Sequence, residues 1–150
     1  MEKPKFIYVT HINATPEKVW AALTEPEFTR QYWNGQLIES DWTPGATVKF
    51  IKPDGGVKLK GEVLRVEPPK ILVYTWDGDS YAAAGPGEGV TRVTFEITVA
   101  FNITRLTVTH EDFRPGSELF PKISQGWPAV LCSLKSLLET GKPLAFDWKC

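Results

Sequence analysis

His110 is the side chain with the clearest chemical potential in this sequence. It follows Leu106 and Val108 at alternate positions of a predicted strand, so all three side chains point to one apolar face. A histidine on such a face could act as a general acid or base, or could hydrogen-bond a ligand carbonyl or hydroxyl. The alternative is a histidine whose hydrogen bonds are satisfied within the protein. His11 lies beside Thr10 near a strand end and is a weaker candidate.

The other polar motifs do not complete a reactive site. Because strand side chains alternate, Glu111 faces away from His110, and we expect Glu111 and Asp112 to lie at a solvated edge. The glycine-rich segment 85–89 lacks the Lys-Ser/Thr of a phosphate loop and predicts a hairpin loop or a cavity rim. Segment 77–79 lacks the further ligands of a calcium loop, and two histidines with two cysteines form no visible transition-metal cluster. We therefore predict no catalytic residue, no metal site and no cofactor.

Aromatic residues are abundant, with six Trp, eight Phe and four Tyr in 150 residues. One interpretation is that these residues fill a large core. The other is that some of them line a cavity, because ligand pockets are mostly apolar and aromatic with few polar groups. Tyr and Trp each carry one polar atom that needs a partner when buried. The predicted cavity residues are Tyr32, Trp33, Phe50, Leu59, Tyr74, Trp76, Phe95, Ile97, Val108, His110, Trp127 and Leu131.

The elements that must position these residues begin with a strand over Phe6–Ile12. Thr15 can cap a helix that starts at Pro16, where proline is tolerated because its missing N–H would have no partner. A second start signal at 24–27 predicts another short helix, which places Tyr32 and Trp33 at one end of the cavity. The two short helices are typical of a lid or clasp over a larger layer.

Alternating apolar residues predict strands over 46–51, 58–63, 71–76, 91–99 and 104–111, joined by short connections as in an antiparallel meander. In the strand over 58–63, Lys58 and Lys60 are expected to point to water and Leu59 inward. A stripe from Trp127 to Leu138 has helical spacing and predicts one long helix. Gly141 ends it. Pro128 implies that this helix starts afresh near Gly126 or kinks there.

Composition predicts a single domain over 1–150, and it excludes some partners. The formal net charge is −1 with no charged run, which gives no electrostatic footprint for nucleic acid or an anionic membrane. No stretch approaches a membrane span or a secretory leader. Cys132 lies on a predicted buried helix and Cys150 is the last residue, so a reducing cytoplasm is the expected compartment.

Several segments resemble one known family. They are the Ile-Asn-Ala-Thr-Pro-Glu-Lys-Val-Trp run from Ile12, the strand ending at Trp76, the Leu-Thr-Val-Thr-His-Glu run to Glu111, and Gly126-Trp127 with its leucine-rich helix. The chain resembles, from about Ile7 to Gly141, the activator of heat shock protein 90 ATPase homologue-like family. That family belongs to the START-like, polyketide-cyclase-like superfamily. Trp42 and the tail from Phe146 to Cys150 depart from the pattern.

The resemblance implies an α+β helix-grip fold of the START/Bet v type. A curved antiparallel sheet of six strands would wrap around the long C-terminal helix and leave a cavity between them. Three functions are compatible with it. They are binding of a small apolar, aromatic or lipid-like ligand, co-chaperone-like stimulation of a heat shock protein 90-type ATPase, and cyclase- or hydrolase-like chemistry with His110 as acid or base. A monomer and a homodimer are both open.

Overall fold

The protein folds as a curled antiparallel sheet that wraps around one long helix. The computed structural model describes residues 3–81, 84–85 and 87–146. The elements, in chain order, are β1 (Phe6–Ile12), α1 (Pro16–Thr24), α2 (Pro26–Tyr32), β2 (Leu37–Glu39), β3 (Thr47–Ile51), β4 (Val57–Glu67), β5 (Ile71–Asp77), a 3-10 turn (Gly78–Ser80), β6 (Val90–Ala100), β7 (Ile103–Glu111) and α3 (Leu119–Thr140).

The sheet has seven strands in the order β1-β7-β6-β5-β4-β3-β2, and every neighbouring pair is antiparallel. The helix-grip architecture expected from the sequence is confirmed, but the expected count of six strands is wrong. The missed strand is β2, which pairs with β3 at one end of the sheet. It is three residues long, which is too short to display an alternating pattern.

The clasp after β1 forms as the sequence predicts. Thr15 caps α1, and its hydroxyl oxygen accepts a hydrogen bond from the backbone N–H of Lys18 at 3.2 Å. The second helix starts at Pro26 without a side-chain cap. Thr24 instead donates its hydroxyl to the carbonyl of Trp20 at 2.9 Å. The two helices therefore follow each other with a single residue between them and cover one end of the sheet.

The long helix α3 fills the concave face of the sheet. It begins at Leu119, well before Gly126, and passes through Pro128. The expectation of a fresh start near Gly126 is therefore wrong. Its buried stripe includes Trp127 and Leu131, and it ends at Gly141 in the left-handed conformation with φ of 84°, which is the predicted glycine stop.

A close approach at Gly61 allows the sheet to curl. The first half of β4 pairs with β3 and its second half with β5. A Cβ atom at Gly61 would lie 1.7 Å from the carbonyl oxygen of Thr75. Only glycine fits this position, because that contact is with backbone and cannot be relieved by a side-chain rotation.

Trp42 and Phe146, which depart from the family pattern, lie in different environments. Trp42 docks on the core, where its Nε1 donates to the carbonyl of Thr24 at 2.9 Å and its ring lies 5.9 Å from that of Tyr74. Phe146 is 40% exposed. The rest of the tail, 147–150, lies outside the described residues.

Candidate functional site

An aromatic cluster occupies the space between the sheet and α3, and Trp76 lies at its centre. The ring of Trp76 is 5.6 Å from Phe50, 4.8 Å from His110, 5.7 Å from Trp127 and 6.2 Å from Tyr81, between centroids. Most of these pairs are edge-to-face, the arrangement that aromatic quadrupoles favour. The cluster joins strands β3, β5 and β7 to α3 through direct ring contacts.

All twelve residues predicted to line a cavity are buried, each at 7% exposure or less. The structure places them in two groups. Four of them border a cavity at one end of the core: Trp33, Phe50, Leu59 and Trp76. The other eight pack inside the core: Tyr32, Tyr74, Phe95, Ile97, Val108, His110, Trp127 and Leu131.

The cavity measures about 40 Å³ and opens partly to solvent. Its remaining lining residues are Gln36, Lys58 and Tyr81. Small-molecule sites commonly span about 300–1,000 Å³, so this volume holds only a few water-sized groups. In this conformation the core is closed around its own side chains, and a ligand of ordinary size would need the cavity to widen.

Lys58 reaches the cavity because of a β-bulge. Phe50 pairs with Leu59, but the next residue of β3, Ile51, pairs with Val57, so Lys58 is the extra residue on β4. A bulge re-aims the side chain that it carries. The expectation that Lys58 points to water is therefore wrong, and simple alternation along β4 contains no signal for it.

Tyr81 covers the cavity from the connection between β5 and β6. A hydrogen bond from the N–H of Gly78 to the carbonyl of Gly89 closes the base of this connection at 2.7 Å. Ser80 accepts a hydrogen bond from the N–H of Lys60 at 2.9 Å, which holds the segment against β4. Sequence periodicity could not have identified Tyr81, because it belongs to no helix or strand.

His110 has a partner at each ring nitrogen. The indole N–H of Trp127 donates to Nδ1 at 3.0 Å, and Nε2 lies 2.8 Å from the hydroxyl of Thr91. Because an indole can only donate, Nδ1 must be unprotonated, so Nε2 carries the proton and donates it to Thr91. Burial lowers the pKa of His110 to about 3. His110 is therefore neutral at physiological pH, and proton transfer at either ring nitrogen would require the hydrogen bond at that nitrogen to break.

Two buried side-chain polar atoms among the described residues have no hydrogen-bond partner: Nε1 of Trp76 and Nε of Arg92. Trp76 borders the cavity, and its side chain is almost completely buried. Trp76 therefore combines a buried, unpartnered N–H with a position in the cavity wall. Buried Tyr32, by contrast, donates its hydroxyl to the carbonyl of Ala22 at 2.7 Å.

A buried carboxylate joins the β5–β6 connection to the start of α3. Glu88 accepts hydrogen bonds from Arg114 Nε at 2.6 Å, from the hydroxyl of Ser117, and from the N–H groups of Glu118 and Leu119 at 3.2 Å each. Desolvation raises the pKa of Glu88, but these four hydrogen bonds outweigh it and the net pKa lies below the ordinary value. The glycine-rich pattern of segment 85–89 predicts a hairpin loop or a cavity rim, and it contains no signal that Glu88 is a buried, hydrogen-bonded carboxylate.

The outer face of the sheet carries a wide depression of about 460 Å³. Its floor includes Ile71 and Val73, and charged side chains surround it. Glu111 lies on this face, as strand parity predicts, and pairs with Arg92 at 3.4 Å and with Lys5 at 3.8 Å. These carboxylate contacts keep Glu111 away from His110.

The described part of the chain contains neither a metal-binding cluster nor a membrane-spanning helix. Across residues 3–81, 84–85 and 87–146, no three His, Cys, Asp or Glu side chains come together in a way that could hold a metal ion. Within those same ranges, no helix has both the length and the apolar character needed to cross a membrane.

Comparison with known proteins identifies a family. The sequence model for the family described as activator of Hsp90 ATPase homolog 1-like protein matches residues 13–139. No curated protein matches at a significant level.

Solved structures support the same relationship. The Aha1 dimer from Colwellia psychrerythraea is 25% identical with a TM-score of 0.77, covering 93% of this chain and 98% of that one. Protein MLL2253 from Mesorhizobium loti is 31% identical with a TM-score of 0.75, covering 90% and 96%. DynU16, from the dynemicin biosynthetic locus, is 29% identical with a TM-score of 0.77, covering 97% of this chain and 51% of the other.

Proposed function

The chain belongs to the activator of Hsp90 ATPase homolog 1-like family, and we propose that it binds a small, largely apolar ligand between the sheet and α3. One observation carries the proposal. The aromatic core contains a cavity at the edge of its ring cluster, and a buried N–H of a cavity residue, Trp76, has no partner. Apolar walls with a few polar groups are the usual composition of a small-molecule site.

The ligand needs more room than the present cavity provides, and Tyr81 is the side chain best placed to supply it. Tyr81 borders the cavity and belongs to a connection rather than to a helix or strand. Its ring rests edge-on against Trp76. Rotation of this one side chain would widen the cavity without separating α3 from the sheet. Movement of a rim side chain is a common change on binding.

The experiment is a fluorescence titration with a panel of planar aromatic, polyketide-like and fatty compounds. Trp33 and Trp76 border the cavity, so a bound compound should change tryptophan emission. We expect at least one compound to bind with a Kd below about 100 μM, equivalent to about −5.5 kcal/mol. Tyr81→Ala should bind it more tightly, whereas Phe101→Ala, which alters an exposed ring on a distant turn, should bind it unchanged. Failure of every compound with both wild type and Tyr81→Ala would refute the proposal.

A co-chaperone-like role is a second candidate function, favoured by the description of the family and by an exposed apolar turn. Phe101 is 82% exposed and Val99 is 67% exposed where β6 turns into β7. Exposed large apolar groups of this kind are typical of interaction surfaces. The test is the ATPase rate of a heat shock protein 90-type chaperone with added protein. Stimulation by wild type but not by Phe101→Asn would support the role, and an unchanged rate would contradict it.

We further propose that the chain forms a homodimer, since the similar Colwellia protein was solved as a dimer. β1 is a terminal strand of the sheet, and its side chains Ile7 and Val9 are about half exposed. Light scattering should report twice the monomer mass for wild type and a smaller mass for Val9→Lys. A monomer mass for wild type would exclude this assembly.

A further inference from the structure

The cavity wall contains one buried donor without an acceptor and a second polar side chain. The indole N–H of Trp76 is buried without a partner. Gln36, another lining residue, is 5% exposed. A buried donor that lacks an acceptor is disfavoured relative to a satisfied one. A ligand atom that accepts from Trp76 would recover that free energy on binding.

Lys58 adds a positive charge to the same cavity. Among the described residues no carboxylate forms a salt bridge with Lys58, and Asp54, in the turn before β4, pairs with Lys52 at 3.6 Å. Its Nζ lies 5.6 Å from the centre of the Tyr81 ring. Desolvation and then repulsion from Lys52 lower the pKa of Lys58. Both effects would be relieved by an anion bound beside the ammonium group.

Tyr81 connects the two donor residues. Its ring lies beneath the Lys58 ammonium and edge-on to Trp76, whose centroid is 6.2 Å away. The Tyr81 ring therefore occupies space that the Lys58 ammonium and the Trp76 indole both border. The volume of about 40 Å³ already present there is sufficient for a head group of a few atoms.

We propose that this end of the cavity is a carboxylate-binding site and that the ligand is a monocarboxylic acid with an apolar body. Lys58 pairs with the carboxylate, Trp76 donates Nε1–H to one of its oxygens, and the rings of Trp33 and Phe50 contact the body. This inference rests on the proposed function, because it assumes that the cavity takes a ligand. Lys58 is the only cation among the lining residues, and one cation matches a single negative charge rather than a phosphate dianion.

The test compares naphthoate with its uncharged analogue naphthamide, and adds octanoate as an acid with an aliphatic body. Calorimetry should show naphthoate or octanoate binding at least about tenfold more tightly than naphthamide, the effect of one charge-assisted hydrogen bond. NMR should show the indole N–H resonance of Trp76 moving downfield with the acid alone. Whichever acid binds better identifies the body as aromatic or aliphatic.

Two matched lysine variants test whether Lys58 causes the preference for the acid over the amide. Lys58→Met should lose the preference for the acid over the amide, whereas Lys60→Met should keep it, because Lys60 lies on the same strand with an exposed side chain. Circular dichroism verifies that both variants fold. Equal binding of acid and amide by wild type, or an unchanged preference in Lys58→Met, would overturn the carboxylate site and leave the proposed function standing. Absence of binding by all three probes and by the whole panel above would refute both.

Discussion

Replacement of His110 should remove a large pH dependence of folding stability. His110 is fully buried, and burial lowers its pKa to about 3 in the folded protein, against an ordinary value of 6.5. Between these two values the unfolded chain binds a proton that the folded protein does not. Stability is therefore complete above the unfolded pKa and falls as the pH drops from about 6.5 towards 3.

The size of this effect follows from the difference between the two pKa values. One pKa unit corresponds to about 1.4 kcal/mol, so the folded state loses about 2 kcal/mol between pH 7.5 and pH 5 through His110 alone. Carboxylates contribute little in this window, because their ordinary pKa values lie lower, and that of buried Glu88 is lower still.

The assay is urea unfolding of wild type and His110→Gln at pH 7.5 and pH 5. Glutamine supplies an acceptor for the Trp127 N–H and a donor for Thr91, but it does not titrate. We expect wild type to lose about 2 kcal/mol and the variant to lose less than about 0.5 kcal/mol. His11→Gln, at the other histidine of the chain, should behave as wild type. Equal losses in wild type and His110→Gln would refute the assignment of a neutral, desolvated histidine.

Four further substitutions test the fold. In urea unfolding, Gly61→Ala should lower the free energy of unfolding by at least about 2 kcal/mol, because the new Cβ would lie 1.7 Å from the Thr75 carbonyl oxygen. Gly126→Ala is the matched control within α3. A Cβ there meets nothing within 4 Å, so this change should raise the free energy of unfolding by about 0.5–1 kcal/mol. Glu88→Gln should lower it by about 1.5–3 kcal/mol at pH 7. The wild-type advantage should begin to fall as the pH drops below the ordinary carboxyl value of about 4.5 and should be lost once the pH passes through the lowered pKa of folded Glu88. Phe101→Asn should raise the thermal midpoint, because Phe101 is exposed and adopts a φ of 55°, which asparagine tolerates better.

Much of the fold was predictable because its elements follow local rules. Alternation along β7 placed His110 among the inward side chains and Glu111 among the outward ones, as the structure shows. Thr15 marked the start of α1 through its cap, and Gly141 marked the end of α3. Each of these features depends on one or two residues that are neighbours in the sequence, so it can be predicted from a short segment alone.

The candidate site was less predictable because it depends on register and on loop placement. The Lys58 side chain is turned into the cavity by an extra residue in β4, which becomes visible only when β4 is paired with β3. Thr91, which accepts from His110, and Glu88, which binds the start of α3, act across long sequence separations. A threonine or a glutamate is common in such a strand or loop, so its role is recognisable only once its hydrogen-bond partner in the fold is known.

The contacts around the cavity restrict how it could open. Separation of α3 from the sheet would break the bond between His110 and Trp127 and expose a histidine whose neutral state depends on burial. The β5–β6 connection is held at both ends, by the Gly78–Gly89 hydrogen bond and by Glu88 at the start of α3. Tyr81 lies between these anchors. A rotation of the Tyr81 side chain alone would leave each of those hydrogen bonds intact, which is why the proposed opening is assigned to Tyr81 rather than to α3.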